Sequence, residues 1–315
     1  MSDNRRSFLK TSTLAVTAAL FSQPIDSLAQ ITKSAHTLAS LDTNLVIYHS
    51  AHLNGEIEHF KENTGGIKQL KKLLDKQEDG GLLLDAGNFL GSNCTADHQY
   101  SVVEAMNKAG YHVSTPGIQE LAQGEDNLAQ LMNVMQFDLV NCNYQFSNQH
   151  LTKKVKTFQV IRLGKLKIGI TGVGPQIEGI RFSDPVKGAN KIAAHLKNEL
   201  RCDFVVCLSG LDYRLQDHLP DNTKLAENAA HIDFIVGSST HKLAGTTAVL
   251  RNSTGNEVYI SNPAPKGVKM GKMTFAFNKD QIQLAGSRHM ISSADRTYSH
   301  AQVKSILSTA DTVAC

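Results

Sequence analysis

The chain has 315 residues, of which 41% are hydrophobic, 19% charged and 6% aromatic. An apolar fraction of this size can fill a large core, which excludes a wholly disordered protein. The formal net charge is +3, with 32 basic and 29 acidic residues, and this balance argues against a protein that binds nucleic acid through its overall charge.

The first 29 residues have the pattern of a cleaved export signal. Arg5 and Arg6 stand before Phe-Leu-Lys, an apolar run follows at 14–21, and the Ser-Leu-Ala of 27–29 places small residues where a signal peptidase reads. The paired arginines favour the Tat route, so we expect a periplasmic protein cleaved near Ala29, with no stable membrane span afterwards. The alternative is an N-terminal anchor helix, but the apolar run is short for a hydrocarbon core of about 30 Å.

Beyond a polar leader at 30–43, short apolar runs alternate with helical patterns. Strands are predicted at 45–48, 82–84, 113–115 and 137–142, with helices at 67–74, 102–109 and 128–135. A hairpin follows at 160–163 and 167–173, then a helix that begins at Asp184-Pro185 and runs to about residue 200, strands at 204–208 and 234–237, and antiparallel strands from 248 to 277. Such alternation predicts one α/β domain over 44–278. A tail at 279–315, with a helix at 301–309, completes the chain.

The five cysteines predict neither a disulfide framework nor a zinc site, because their number is odd and no C-x-x-C spacing occurs. Cys142, Cys202 and Cys207 lie in apolar runs. We expect them to be packed as small hydrophobic side chains.

Polar loops follow the predicted strands, and chemistry in such folds usually lies beyond the carboxyl ends of the strands. In chain order the loops read HSAHLNG at 49–55, DAGNFLGS at 85–92, PGIQE at 116–120, LSGL at 208–211 and GSSTH at 237–241. This succession resembles the N-terminal domain of the 5′-nucleotidase family, within the calcineurin-like metallophosphoesterases. The resemblance covers about residues 45–277 and keeps the family's order. It implies a four-layer αββα sandwich, two sheets covered by helices, with a two-metal site that hydrolyses phosphoesters.

Most of the metal ligands of that family are replaced in this chain. The aligned positions are His52, Asn54, Asn88, Ile118, Gln119, Gly210, Ser239 and His241, of which only His241 keeps the family's residue. Asn88 stands where the family has the Asp that bridges both metals. The side chains still able to coordinate are His52, Asn54, Asn88, Gln119 and His241, and all are neutral at pH 7, so they do not offset the repulsion between two divalent cations. We therefore expect no cofactor, or at most a single manganese or zinc ion.

Three residues, His49, Asp85 and Glu120, flank these positions, and Ser239, which flanks His241 and is itself an aligned position, is a fourth candidate. The resemblance implies that Asp85 and Glu120 lie beside the ligands rather than coordinate, which favours capping or salt bridging. His49 follows a buried strand, so packing is its expected role.

Three functions are consistent with these residues. The first is an exported, catalytically degenerate protein whose cleft binds a small phosphorylated ligand or a periplasmic protein. The second is a hydrolase of phosphomonoesters or nucleotides that uses one metal on His52 and His241. The third is a periplasmic assembly or carrier subunit whose cleft is unused.

Overall fold

The computed structural model describes residues 44–61, 63–92, 94–215, 218–237, 245–278 and 281–293. The predicted signal peptide, polar leader and C-terminal helix lie outside these residues. In chain order the strands are β1 (Asn44–Ser50), β2 (Leu82–Asp85), β3 (Val113–Ser114), β4 (Asp138–Leu139), β5 (Tyr144–Gln145), β6 (Phe158–Leu163), β7 (Leu166–Val173), β8 (Arg181–Phe182), β9 (Phe204–Ser209), β10 (Phe234–Val236), β11 (Thr246–Arg251), β12 (Glu257–Asn262), β13 (Lys269–Asn278) and β14 (Gln281–Ile291).

The helices lie mostly between strands. They are α1 (Ile67–Asp75), α2 (Ala96–Ala109), α3 (Ile118–Leu121), α4 (Glu125–Leu131), α5 (Gln149–Lys154), α6 (Pro185–Ala194) and α7 (Asn222–Asn228). A π-helical turn, His195–Glu199, continues α6, and a 3₁₀ turn, Pro265–Gly267, precedes β13. In the described part of the chain, no helix is both long and apolar enough to cross a bilayer.

The longer strands form two six-stranded sheets. The first has the order β14-β13-β1-β2-β3-β4, and the second has the order β11-β12-β10-β9-β7-β6. In the first sheet β1, β2, β3 and β4 run parallel, and β13 joins β1 antiparallel. In the second, β7, β9, β10 and β12 run parallel between antiparallel edge strands. The carboxyl ends of the parallel strands therefore lie along one edge of each sheet.

Three apolar layers hold the sheets and helices together. The layer between the two sheets contains Leu45, Ile47, Phe204 and Phe275, all fully buried. A second layer packs α1, α2 and α4 onto the first sheet, and a third packs α6 and α7 onto the second. The four-layer αββα sandwich predicted from the sequence is confirmed.

The structure departs from the sequence predictions at several places. The strand expected at 137–142 is reduced to Asp138–Leu139, and the helix expected at 102–109 begins at Ala96. The helix expected at 128–135 spans Glu125–Leu131. Residues 281–291, which the sequence analysis assigned to the tail, form β14, which pairs with β13 from Lys269 to Asn278. This edge strand is held by backbone pairing and only part-buried side chains, so its apolar pattern is weak.

The four described cysteines, Cys94, Cys142, Cys202 and Cys207, are free thiols. Cys202 and Cys207 are buried in the apolar layer beneath α6 and α7. Burial raises the pKa of Cys207 well above its ordinary value. This thiol therefore stays protonated and unreactive, and it packs in the core as a small apolar group.

Candidate functional site

Three loops meet where the parallel strands of the first sheet end. Ser50 pairs with Asp85 and Asp85 with Ser114, so the last residues of β1, β2 and β3 lie side by side. Since parallel strands deliver their carboxyl ends to the same edge, the loops that follow them share one cleft.

Hydrogen bonds bring four of the five candidate ligand positions together. The backbone N–H of His52 donates to the carbonyl of Gly87 at 2.9 Å, and that of Asn54 donates to the carbonyl of Asn88 at 3.0 Å. From the third loop, the backbone N–H of Gln119 donates to Asn88 Oδ1, also at 3.0 Å. Ser239 and His241 lie in the segment 238–244, outside the described residues, so their place in the cleft stays a prediction.

The loop backbone is strained at three of these positions. His52, Asn54 and Asn88 have φ angles of 52°, 51° and 55°, in the left-handed region that non-glycine residues seldom adopt. Such conformations persist where the surrounding structure enforces them, and they concentrate at binding sites. A Cβ at Gly117 would lie 2.6 Å from Asn88 Oδ1, so only glycine lets the loops approach this closely.

Asp85 is fully buried, and its hydrogen bonds anchor the loop that carries Asn88. Its Oδ1 accepts from the backbone N–H of Gly87 at 2.8 Å and from Ser114 Oγ at 3.0 Å, and its Oδ2 accepts from Ser50 Oγ at 2.6 Å. Burial raises the pKa of Asp85 to about 7, although these donors oppose the shift. All three donors belong to the protein, so the carboxyl group of Asp85 serves to hold the loop and the strand ends together.

Glu120 is fully buried and ties the second loop to the third. Its Oε2 accepts from the backbone N–H groups of Asn88 (2.9 Å) and Gly117 (2.7 Å), and its Oε1 accepts from that of Leu90 (2.8 Å). Burial raises its pKa, and the backbone donors lower it. Asp85 and Glu120 therefore act as caps of the loop backbone, the first of the two roles that the sequence analysis considered for them.

His49 points away from these loops, into the layer between the sheets. It is fully buried, its ring lies edge-on to Phe234 at 5.5 Å, and its Nε2 lies 2.7 Å from Ser261 Oγ. Burial, with a smaller contribution from His289, lowers the pKa of His49 to about 3, so the imidazole stays neutral. It packs there, as expected.

The donor set of the cleft does not fit two divalent cations. Asn88 Oδ1 already accepts a hydrogen bond from Gln119, and burial lowers the pKa of His52 to about 4, which leaves one neutral imidazole among amides. Within the described ranges no group of three or more His, Cys, Asp or Glu is placed to hold a metal. Two cations held close together need anionic ligands between them, and the two buried carboxyl groups are taken up by the loop backbone.

Two of the replaced positions, Ile118 and Gly210, carry no side chain that could bind a metal. Ile118 exposes 47% of its surface at the rim of the cleft. At Gly210 a Cβ would meet its nearest neighbours, Pro175 and Val173, at 3.6 Å, which is ordinary van der Waals contact. The immediate neighbours of Gly210 therefore do not require glycine at this position.

Solved structures that superpose on this chain include a 5′-nucleotidase precursor and a calcineurin-like phosphoesterase. The chain superposes on a 5′-nucleotidase precursor from Thermus thermophilus with a TM-score of 0.70, 20% identity, and coverage of 85% of this chain and 58% of that one. It superposes on a calcineurin-like phosphoesterase from Bacillus subtilis with a TM-score of 0.62, 18% identity, and coverage of 86% and 97%. The chain has the calcineurin-like metallophosphoesterase fold. The resemblance seen in the loops is thereby confirmed for the fold.

Sequence comparison gives a likeness over a smaller part of the chain. A 2′,3′-cyclic-nucleotide 2′-phosphodiesterase/3′-nucleotidase from Haemophilus influenzae is 26% identical over 193 residues, which are 51% of this chain and 29% of that protein. No protein-family model matches the chain. The metallophosphoesterase-fold chain thus spans less than a third of this curated relative and just over half of the Thermus protein.

The hydroxyl groups that surround Asp85 were not predicted from the sequence. Ser50 Oγ lies 2.7 Å from the hydroxyl of Tyr111, which extends the network from Ser114 through Asp85 to α2's C-terminal side. Ser50 lies inside the HSAHLNG block, and Ser114 lies in the strand predicted at 113–115 and is the last residue of the observed β3. A polar residue at the last position of a buried strand was the available signal.

Proposed function

We propose that the protein is exported and that its cleft binds a small phosphorylated ligand without hydrolysing it. The observation that carries the proposal is that the carboxyl groups of Asp85 and Glu120 accept hydrogen bonds from the protein itself. Asp85 and Glu120 keep the loops in place through backbone and hydroxyl donors. The four described candidate ligand positions, His52, Asn54, Asn88 and Gln119, carry only neutral side chains. A shaped cleft without anionic metal ligands can bind, but it lacks what activates water at a two-metal centre.

The phosphorylated ligand is inferred from the relatives. Their names describe action on nucleotides, cyclic nucleotides and phosphoesters. Export rests on the pattern of the first 29 residues, with Arg5 and Arg6 before an apolar run. The alternative is that the same cleft binds a periplasmic protein.

The decisive experiment uses the processed protein purified from the periplasm. Hydrolysis of nucleoside monophosphates and of an aryl phosphate is measured with excess manganese, and binding of the same monophosphates is measured by calorimetry with a chelator present. We expect turnover near the rate without enzyme, together with chelator-resistant binding.

Two results would contradict the proposal. One is robust turnover that a chelator abolishes and that His241→Ala also removes, which would favour the one-metal hydrolase. The other is the absence of binding to any phosphorylated compound. Asn88→Asp serves as a matched variant, because restoring one carboxylate leaves the other ligands absent and should not produce activity.

A further inference from the structure

A polar cluster lies between the two sheets, next to the cleft. Ser261, on β12 of the second sheet, places its Oγ 2.7 Å from His49 Nε2 and 3.0 Å from His289 Nε2 of the first sheet. His49 and His289 both pair with Gly271 across neighbouring strands, and a Cβ on Gly271 would collide with the ring of His49. The cluster is near the carboxyl end of β1, because His49 is the residue before Ser50.

Lys269 adds a positive charge to this cluster. It lies two residues before Gly271 on β13, so both residues face the inter-sheet side. Burial is the main cause that lowers the pKa of His289 to about 4, and the charge of Lys269 is the second. A Cβ on Gly245 would lie 3.0 Å from Lys269 Nζ, which places the ammonium group beside the residue that follows the segment 238–244.

Among the described residues, no carboxylate pairs with Lys269, although its two lysine neighbours in the chain each have one. Lys272 Nζ lies 2.6 Å from Asp79, and Lys266 Nζ lies 3.7 Å from Glu56. Lys269 is part-buried, and this burial lowers its pKa because the charged form loses contact with water. A part-buried cation without a partner is costly, and an anion that binds beside it would recover that cost.

We propose that Lys269 and His289 form an anion-binding site at the cleft end of the inter-sheet layer, and that this site takes the phosphoryl group of the cleft's ligand. The side chains around it are neutral imidazole and hydroxyl groups with one ammonium, and the positive charge of the ammonium favours an oxyanion over a metal cation. The site makes binding independent of metal. The identity of the anion rests on the proposed function, whereas the position of the site rests on Lys269.

The test measures binding of inorganic phosphate to the processed protein by calorimetry, with a chelator and at constant ionic strength. We expect Lys269→Met, which keeps the length of the side chain, to weaken binding about tenfold or more, because hydrogen bonds to charged groups are worth about 1.5–3 kcal/mol. Lys272→Met is the matched control on the same strand, and its affinity should equal that of the wild type.

A second measurement uses the unmodified protein and does not depend on the folding of a variant. Acetylation of lysines is followed by peptide mass spectrometry with and without phosphate, and phosphate should protect Lys269 but leave Lys272 unaffected. Phosphate binding that survives Lys269→Met, or equal acetylation of Lys269 with and without phosphate, overturns this site and leaves the proposed function standing. Acetate that competes as well as phosphate overturns the ligand class. Failure of the wild type to bind both phosphate and nucleoside monophosphates overturns the site and the proposed function together.

Discussion

The buried carboxyl group of Asp85 makes the stability of the protein depend on pH in a predictable direction. Burial raises its pKa from 3.8 to about 7. The folded protein therefore keeps a proton that the unfolded chain releases, so the stabilisation is complete below about pH 4 and is lost as the pH rises through 7. A difference of about three units corresponds to roughly 4 kcal/mol, of which about 2 kcal/mol falls between pH 5.5 and 8.

Asp85→Asn removes this titration and keeps most of the contacts. The amide oxygen can still accept from Gly87 and Ser114, and the amide nitrogen can donate to Ser50, whose hydroxyl can then donate to Tyr111. We therefore expect the free energy of unfolding of the variant to rise relative to the wild type by about 2 kcal/mol from pH 5.5 to pH 8.

Urea unfolding followed by circular dichroism measures this difference, because the chain has no tryptophan for fluorescence. The buried histidines have lowered pKa values, so they reduce the stability of both proteins as the pH falls below 6.5. Their contribution to the free energy of unfolding cancels when the variant is compared with the wild type at each pH. Asp97→Asn, at an exposed position, controls for the chemical change itself. A difference between Asp85→Asn and wild type that stays constant from pH 5.5 to 8 would refute the reasoning.

Three further changes test other parts of the chain. Replacing Arg5 and Arg6 with lysine should leave unprocessed precursor in the cytoplasm, and normal periplasmic accumulation on a fractionation blot would exclude the Tat route. Glu120→Gln leaves one of three backbone donors without an acceptor and should lower the free energy of unfolding by about 2–4 kcal/mol in urea, and a loss below about 0.5 kcal/mol would contradict its role as a cap. Gly117→Ala forces a Cβ against Asn88 and should cost about 1–3 kcal/mol, and an unchanged urea midpoint would show that the loops can separate.

Most secondary structure follows from local signals in the sequence. The hairpin predicted at 160–163 and 167–173 is present as β6 and β7, and the helix predicted at Asp184-Pro185 begins there, with Asp184 Oδ1 accepting from the backbone N–H groups of Val186 and Lys187. These features depend on neighbours within a few residues, which is why the pattern predicts them. β14 could not be predicted in the same way, because β13 supplies its pairing and its own side chains are only part-buried.

The sequence by itself determined which side chains the cleft can offer. It shows amides and imidazoles where the resembling family has carboxylates, and their order along the chain predicted the loops that meet at the strand ends. The charge of each side chain follows from residue identity alone, so the sequence without a structure already argues against a two-metal site.

Only the tertiary structure decided what the remaining charged groups do. Asp85 and Glu120 turn their oxygens toward loop donors, and Lys269 faces the inter-sheet side without a carboxylate partner in the described chain, next to His289. Each of these outcomes depends on which face of a strand a residue occupies and on which distant strand lies beside it. A one-residue change of register would move Lys269 to the opposite face, so its environment is set by the pairing of whole sheets, which local sequence does not encode.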